Sequence, residues 1–523
     1  MQQQPILQID NICCDFSLCK ETEKLFYYKF HVIPWQKLNK ITFFIVEDII
    51  PDVIGWIELH YGINYILIKA GDNQIVDLLN SHFGVSEFAS NYLYYKNPSF
   101  SAKNIKLGSI AYASFAIIVS ILTLVEKSAY FALMLIFIIW CSSSLFKFIT
   151  TICGLCRTPN KKVDFNLENF PVYTILLPAF KESAVMPQLI DSIENLDYPK
   201  SKLDVKLLIE SDDQEMLKAI KMYALPRYFE VITVPHSFPK TKAKVCNYAM
   251  CFAKGKYIVI YDADDKPDPL QLKKALIEFN EGDEKLACVQ ARLNYYNYNH
   301  NFLTKFFSLE YVNWFYYLLP GLQKMNMPVP LGGSSNHFLV EALKKAFFWD
   351  AYNVTEDADL GLRLAQMGYK TKMIDSETLE ESPTTIFAWI KQRARWIKGY
   401  MQTYVVCLKN ITGLRGMLLL NLFVGPTAFI FFTAPFLLLS SKFLNELFLY
   451  YFIVAYITNS ILLIIAVKQQ KMPYYFYIVS IFFPVYRLLH SVAAFLALWE
   501  FIIYPQKWNK TSHGLWKKSS QKL

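Results

Sequence analysis

The first 20 residues hold no long apolar run. They are polar and carry Cys13, Cys14 and Cys19, so no cleavable secretion signal is expected. The Cys153-x-x-Cys156 pair has no second pair to complete a four-thiol site, which argues against a metal or redox role. Ten cysteines in this setting suit a reducing compartment. No nucleic-acid-binding motif accompanies the net charge of +9, and the lysines gather beside apolar runs, so the positive balance reads as attraction to a membrane surface. What the chain has in excess is apolar surface: 54% hydrophobic and 16% aromatic residues exceed a soluble composition, and 523 residues leave room for two or three domains.

The excess is concentrated. Residues 107–125 and 128–146 are nearly uncharged runs, each about the ~20 residues that cross a bilayer. Only Glu126 and Lys127 separate them, which predicts a helical hairpin. Residues 416–440 form a third candidate span, interrupted by Pro426 and Pro435, and residues 447–467 a fourth. Residues 474–504 are long for one span and short for two, with Pro484, Arg487 and His490 in the middle; this predicts a broken or re-entrant element, because polar groups at membrane depth need protein around them. Lys103, Lys106, Lys147, Arg157, Lys161, Lys162, Lys468, Lys471, Lys507, Lys510, Lys517 and Lys518 flank these runs and place their ends on the cytoplasmic side of a multi-pass, bacterial inner-membrane protein.

Residues 1–100 read as a small α/β module, regulatory, docking or purely structural. Thr42-Phe43-Phe44-Ile45-Val46 and Tyr65-Ile66-Leu67-Ile68 are apolar strand runs, with helices expected over 51–60 and 74–83. The run from His31-Val32-Ile33-Pro34 through Asn73-Gln74-Ile75 to Phe83-Gly84 resembles the N-terminal domain of type II secretion ATPases. Some relatives of that domain bind a cyclic dinucleotide, but the Arg-Leu-Gly motif that would carry this over is absent here.

The informative part begins after residue 165. Tyr173-Thr174-Ile175-Leu176-Leu177 reads as a strand running into Pro178-Ala179-Phe180-Lys181-Glu182, followed by a helix with Met186, Leu189, Ile190 and Ile193 on its apolar face. A second strand, Val205-Lys206-Leu207-Leu208-Ile209, ends in Glu210-Ser211-Asp212-Asp213. Val231-Ile232-Thr233-Val234, the basic Lys240-Thr241-Lys242-Ala243-Lys244 and a helix over 246–252 lead to Lys256-Tyr257-Ile258-Val259-Ile260-Tyr261, a buried strand ending in Asp262-Ala263-Asp264-Asp265. Alternating strands and helices with charges at successive strand ends predict a doubly wound nucleotide-binding sheet, and Asp-x-Asp spacing suits a divalent cation that neutralises a diphosphate.

Five motifs in order, Pro178-Ala179-Phe180-Lys181-Glu182, Asp212-Asp213, Asp262-Ala263-Asp264, Thr355-Glu356-Asp357 and Gln392-x-x-Arg395-Trp396, resemble those of membrane-embedded family 2 glycosyltransferases of the cellulose synthase and hyaluronan synthase type. The resemblance implies a GT-A-type, Rossmann-like α/β domain inserted between transmembrane helices. Its extents would be a module over 1–100, a hairpin over 103–148, the catalytic domain over 165–405, membrane helices over 412–505 and a basic tail over 506–523. It also implies roles. Glu182, Asp212 and Asp213 would bind the uridine, and Asp264 with Asp262 would hold Mg²⁺ or Mn²⁺. Lys242 would help hold the diphosphate, or is one of several lysines on a solvated loop. Asp357, in the first turn of a helix whose dipole would keep it ionised, would be the general base of an inverting transfer, beside Glu356. Gly333 and Ser334, in Leu331-Gly332-Gly333-Ser334-Ser335-Asn336-His337, lie where the family has its acceptor loop, but the run departs from Phe-Phe-Cys-Gly-Ser, against a cellulose product. His337 is expected to be structural.

Gln392, Arg395 and Trp396 fall at i, i+3 and i+4 on a helix expected over 384–404 and can address one ligand. The aromatic run 302–319 reads as an interfacial, structural helix. Pro505-Gln506-Lys507-Trp508 and the following residues to Gly514 resemble a C-terminal signature of bacterial members, while the long cyclic-dinucleotide domain of bacterial cellulose synthases has no counterpart. The expected activity is transfer from a nucleotide sugar, UDP-linked, to a growing polysaccharide. Transfer of one sugar to a lipid carrier is the alternative within the class, and a non-catalytic transporter or scaffold the alternative outside it.

Overall fold

The computed structural model describes residues 14–105, 126–156, 169–223, 225–410, 413–439 and 446–508. The run 107–125 and most of the tail signature therefore lie outside the described residues.

A three-stranded sheet comes first. β1 (Val32–Leu38) pairs antiparallel with β2 (Ile41–Val46), which pairs parallel with β3 (Tyr65–Lys69). Helices Pro51–Tyr61, Asp72–Phe83 and Val85–Lys96 complete this unit. Its Tyr27, Phe44, Trp56 and Phe88 belong to a buried cluster continuous with Ile258, Phe338 and Trp349 of the larger sheet domain. The joint is polar at its centre. The Asn247 side chain donates to the carbonyls of Ala89 and Trp349, both at 2.9 Å, and accepts from the Trp349 N–H at 3.1 Å.

The larger sheet has eight strands in the order β6-β5-β4-β7-β10-β9-β11-β8. These are β4 (Tyr173–Ala179), β5 (Leu203–Glu210), β6 (Phe229–Val234), β7 (Tyr257–Ile260), β8 (Lys266–Pro267), β9 (Leu286–Tyr295), β10 (Asn336–Leu339) and β11 (Lys370–Glu380). The first four are parallel, β10 runs antiparallel between β7 and β9, and β11 runs parallel to β9. The chain leaves β4 towards β5 and β6, then crosses back to lay β7 on β4's other side. Between β4 and β7 the strand order therefore reverses, which is where ligands bind in open α/β sheets. Pro178–Glu182 and Asp262–Asp265 extend from those two strand ends. The helix after β4 is Met186–Glu194, with Met186, Leu189, Ile190 and Ile193 buried as the period predicts. The helix expected over 246–252 instead spans Lys242–Ala249, because Thr241 caps it by accepting from the Lys244 N–H.

Helices long and apolar enough to cross a membrane cover Leu133–Leu155, Leu414–Pro435 and Tyr450–Gln469. The last apolar stretch is broken as expected, into Tyr475–Tyr486 and Leu489–Ile503, bent by 42°. The helix Glu126–Leu155 runs nine residues past the end predicted at 146, and its C-terminal part packs on the 302–324 segment. There a Cβ on Gly154 would lie 1.8 Å from the Tyr317 carbonyl oxygen, and one on Gly321 would lie 1.9 Å from that of Thr150. Only glycine permits this approach.

Asn247→Ala is expected to leave buried backbone groups of Ala89 and Trp349 unpaired, at about 1–3 kcal/mol for each. The check is a lower melting temperature together with faster proteolytic release of the N-terminal unit.

Candidate active site

One cavity of about 1090 Å³ opens at the strand-order reversal and continues among the apolar helices. Its wall includes Glu182, Lys242, Asp262, Asp264, Gly333, Glu356, Asp357, Gln392, Arg395 and Trp396. Ten of the thirteen residues singled out from the sequence thus share one space, and Asp264 and Asp357 face it together.

The three exceptions have physical reasons. Asp213 is buried, and its carboxylate accepts from the backbone N–H of Lys181 at 2.5 Å and of Met216 at 3.2 Å, capping the helix Gln214–Lys221. It fixes the loop rather than offering oxygens to a ligand. Asp212 is half-exposed and paired with Lys240, which holds its carboxyl below the usual range; Lys240, not Asp212, reaches the cavity wall. Ser334 is fully buried behind Gly333, with its hydroxyl 3.5 Å from Glu380.

Lys242 is not a solvated lysine. Its Nζ lies 2.5 Å from Asp262 Oδ1 and donates to the Gly333 carbonyl at 2.6 Å, so it ties the donor-side acidic tip to the glycine loop. Burial opposes its charge, but the carboxylates of Asp262 and Glu356 override that and raise its pKa. Across the loop, a Cβ on Gly333 would stand 3.3 Å from Asp357 Oδ2.

Glu356 and Asp357 begin the helix Glu356–Gln366 as expected, and Gly368, at φ +84°, follows its end. The expected effect of the helix dipole is overturned: burial dominates and raises the Asp357 pKa, although the Ala358 N–H, 2.8 Å from its Oδ1, opposes the shift. Burial and the neighbouring Asp357 charge push Glu356 up to about 8. His337 is structural: it is fully buried between the Tyr173 hydroxyl at 2.7 Å and Gln271 at 3.2 Å, and burial lowers its pKa to about 3, leaving it neutral.

The acidic tip is more crowded than the sequence reading allowed. Asp264 is 2% exposed, and its Oδ2 accepts from the Glu381 N–H at 2.8 Å. Asp265 is fully buried, and Glu380 lines the cavity at the end of β11. Burial, reinforced by the charges of the neighbouring aspartates, raises both of their pKa values well above normal. Glu380-Glu381-Ser382-Pro383 is a third acidic strand end, the same signal that marked β5 and β7, but β11 is too polar to be read as a strand. Among the described residues no three His, Cys, Asp or Glu side chains are set to hold a metal ion by themselves. The surplus of negative charge nevertheless fits a divalent cation whose shell the ligand's own oxygens would complete.

The helix Ile386–Asn410 supplies the opposite wall. Gln392 Oε1 and Arg395 Nε are buried without a hydrogen-bond partner, two polar atoms left for a ligand. Trp396 stacks on Tyr311 with ring centroids 6.2 Å apart, and the Arg393 guanidinium lies 4.4 Å from the Trp396 centroid. Arg393 in turn pairs with Glu310 at 2.6 Å. The aromatic segment read as structural therefore contributes a charged group and part of the cavity wall.

The family model described as "Glycosyl transferase family group 2" matches residues 257–503, from β7 through the C-terminal apolar helices. The probable glycosyltransferase YdaM of Bacillus subtilis (strain 168) is 26% identical over 244 residues, which cover 46% of this chain and 57% of that protein, so the chain aligns with a little over half of that relative. In fold, the chain is similar to the mannosyltransferase PcManGT from Pyrobaculum calidifontis, solved with GDP-Man and Mn²⁺, at a TM-score of 0.50 and 16% identity over 72% of this chain and 99% of that one. The sheet domain is thus GT-A-like in fold, and the stretch from β7 to residue 503, a little under half of the chain, is similar to the glycosyltransferase family 2 model.

A Cβ on Gly399 would lie 2.2 Å from the Thr355 hydroxyl, in the turn that presents Glu356 and Asp357. Gly399→Ala is therefore expected to cost about 1–3 kcal/mol as an overpacked core position, read as a fall in melting temperature.

Proposed function

We propose that the chain is an inverting, metal-dependent glycosyltransferase that takes a nucleotide sugar, UDP-linked, at the cytoplasmic membrane face and extends a β-linked polysaccharide. The observation that supports this reading is the shared cavity: Asp262, Asp264 and Lys242, the residues assigned to the diphosphate and its cation, line the same space as Asp357 and the Gln392-Arg395-Trp396 wall. Two readings of the acceptor follow from that space. A polymer would pass on between the apolar helices, and a single sugar would go to a lipid carrier held there.

In this reading Glu182, beside the strand-order reversal, receives the nucleoside, and Lys242 and Arg395 face the diphosphate. Asp262 and Asp264 would hold a divalent cation, whose chemistry would be to offset the negative charge on the departing diphosphate. The acceptor hydroxyl rests against the Gly333 loop and Trp396. Asp357 takes its proton as the oxygen bonds to the anomeric carbon. The bond from that carbon to the diphosphate oxygen breaks, and the nucleoside diphosphate leaves with the electron pair. A single displacement of this kind inverts an α-linked donor into a β-linked product.

Asp357→Asn is expected to lower kcat by about 10²–10⁴-fold, the ordinary value of a positioned base, in an assay of UDP release from a panel of UDP-sugars with Mn²⁺. Because a base acts only when ionised, and burial raises the Asp357 pKa, activity should fall as pH drops through a value above the ~3.9 of a free aspartate. Unchanged turnover in the variant would remove Asp357 from this role.

The carboxyls also set how stability responds to a cation. A group with a higher pKa folded than unfolded adds stability in full below its unfolded value and loses it as pH rises through the folded one. Glu356, at about 8, does so across neutrality, and Asp265 and Glu380 shift in the same direction. The metal-free protein should therefore melt lower at pH 8 than at pH 6. The rise in melting temperature on adding Mn²⁺ should be greater at pH 8 and lost in Asp264→Asn. A pH-independent rise would place the cation elsewhere.

A further inference from the structure

The cavity does not end at the sheet domain. Its far end lies among the membrane helices and holds two cations, Lys147 on the helix Glu126–Leu155 and Arg487 at the break between Tyr475–Tyr486 and Leu489–Ile503. Neither has a carboxylate within ion-pair distance among the described residues. The Lys147 ammonium donates to the Thr427 hydroxyl at 3.2 Å and lies 5.5 Å from the Phe423 ring, and the Arg487 guanidinium lies 5.7 Å from the Phe431 ring. The nearby acid, Glu310, is committed to Arg393 at 2.6 Å, the Tyr486 hydroxyl at 2.8 Å and His490 at 3.2 Å. On the same wall, Asn459 Nδ2 is buried without a hydrogen-bond partner. Two unneutralised cations and a free amide donor at membrane depth are costly unless an anion joins them.

We propose that Lys147, Arg487 and Asn459 form a site for the phosphate of a membrane lipid that carries the acceptor. This rests on the glycosyltransferase reading and names the acceptor's anchor. The chemistry around the cations selects a lipid over an acidic glycan. The wall beside them includes Phe148, Ile430, Phe431, Phe452 and Leu462, and the hydroxyls of Thr151, Thr427, Tyr451 and Tyr456 there already donate to backbone carbonyls rather than standing free for a sugar chain. Leu145, Val454, Val485 and Leu488 line the same end and are 46–61% exposed, so among the described residues the vestibule stays open beside an apolar rim that a hydrocarbon tail would cover. The phosphate would sit on the membrane side of the Trp396–Arg393–Glu310 chain, and the acceptor hydroxyl on the Asp357 side.

The test uses the full chain in phosphatidylcholine nanodiscs, without nucleotide sugar, and native mass spectrometry of bound hexadecyl phosphate against hexadecanol. The phosphate should bind at least about tenfold more tightly, about 1.4 kcal/mol. The Lys147→Gln/Arg487→Gln double variant should lose that preference, and Lys147→Arg should keep it. Equal binding of the two probes in the wild type, or a preference that survives the double variant, overturns the proposal. Displacement by an equal concentration of inorganic phosphate would make this a free-anion site, and displacement by a hyaluronan tetrasaccharide would reassign the cations to an acidic glycan; either also overturns it. If the double variant does not melt cooperatively, the wild-type comparison and Lys147→Arg still decide. Because no donor is present, failure of nucleotide-sugar turnover would count against the glycosyltransferase reading and leave this result standing.

Discussion

The bridge from Lys242 to Asp262 and to the Gly333 carbonyl is the contact on which the rest of the site depends. Six carboxylates, Asp262, Asp264, Asp265, Glu356, Asp357 and Glu380, gather from three strand or helix ends. Even at an effective dielectric of ~20, like charges 4 Å apart repel by about 4 kcal/mol. Lys242 and Arg395 are the permanent cations facing them, and burial first, reinforced by the neighbouring carboxylates, raises the pKa values of Glu356, Asp265 and Glu380. A cleft so loaded is relieved when a ligand brings positive charge, which under the proposed function a cation entering with the diphosphate would do.

The surrounding fold holds these groups in place by burying what supports them. The turn before Glu356 is bonded on several sides: Asn353 donates to Thr403, the Val354 N–H to Gln402, and Asp350 accepts from Ser101 and from the Ala102 N–H. The turn that presents Asp357 therefore rests at once on the helix Ile386–Asn410 and on the segment that leaves the N-terminal unit. Lys181, between the cavity residues Phe180 and Glu182, and the buried Ser335, two residues after Gly333, sit at φ 54° and 55°, a backbone region that side-chain-bearing residues seldom adopt.

Much of this was legible in the sequence because it is local. Apolar β-branched runs marked β4, β5 and β7, and the carboxylates beyond them marked the ligand edge. The i, i+3, i+4 spacing correctly put Gln392, Arg395 and Trp396 on one wall. What was not legible depends on tertiary contact. Asp213 looks like Asp212 in sequence, yet one caps a helix and the other pairs with Lys240. β11 reads as polar because it lies near the sheet edge, with β9 on one side and only the two-residue β8 on the other, and so Glu380 was passed over. Asp357 was expected to be held ionised by its helix terminus, but its burial outweighs the backbone N–H that favours the charge. Glu310 was hidden in an aromatic run because nothing near it in sequence is its partner.

Glu310 also ties together the two halves of the last apolar element. Its partners Tyr486 and His490 lie on either side of the break at Arg487–Leu488, and its third partner, Arg393, lies one turn before Trp396. The two halves are bent by 42° at that break, and Arg487, within it, lines the cavity. Arg393 and His490 hold Glu310 down to about 2 against the effect of burial, so it stays ionised throughout the physiological range. The result is a fixed ion pair on the cavity wall, between an acidic end at the sheet and a cationic end at Lys147 and Arg487. In the proposed reaction the two ends would serve opposite halves: a nucleoside diphosphate with its metal ion at one, and an acceptor that carries its own anion at the other.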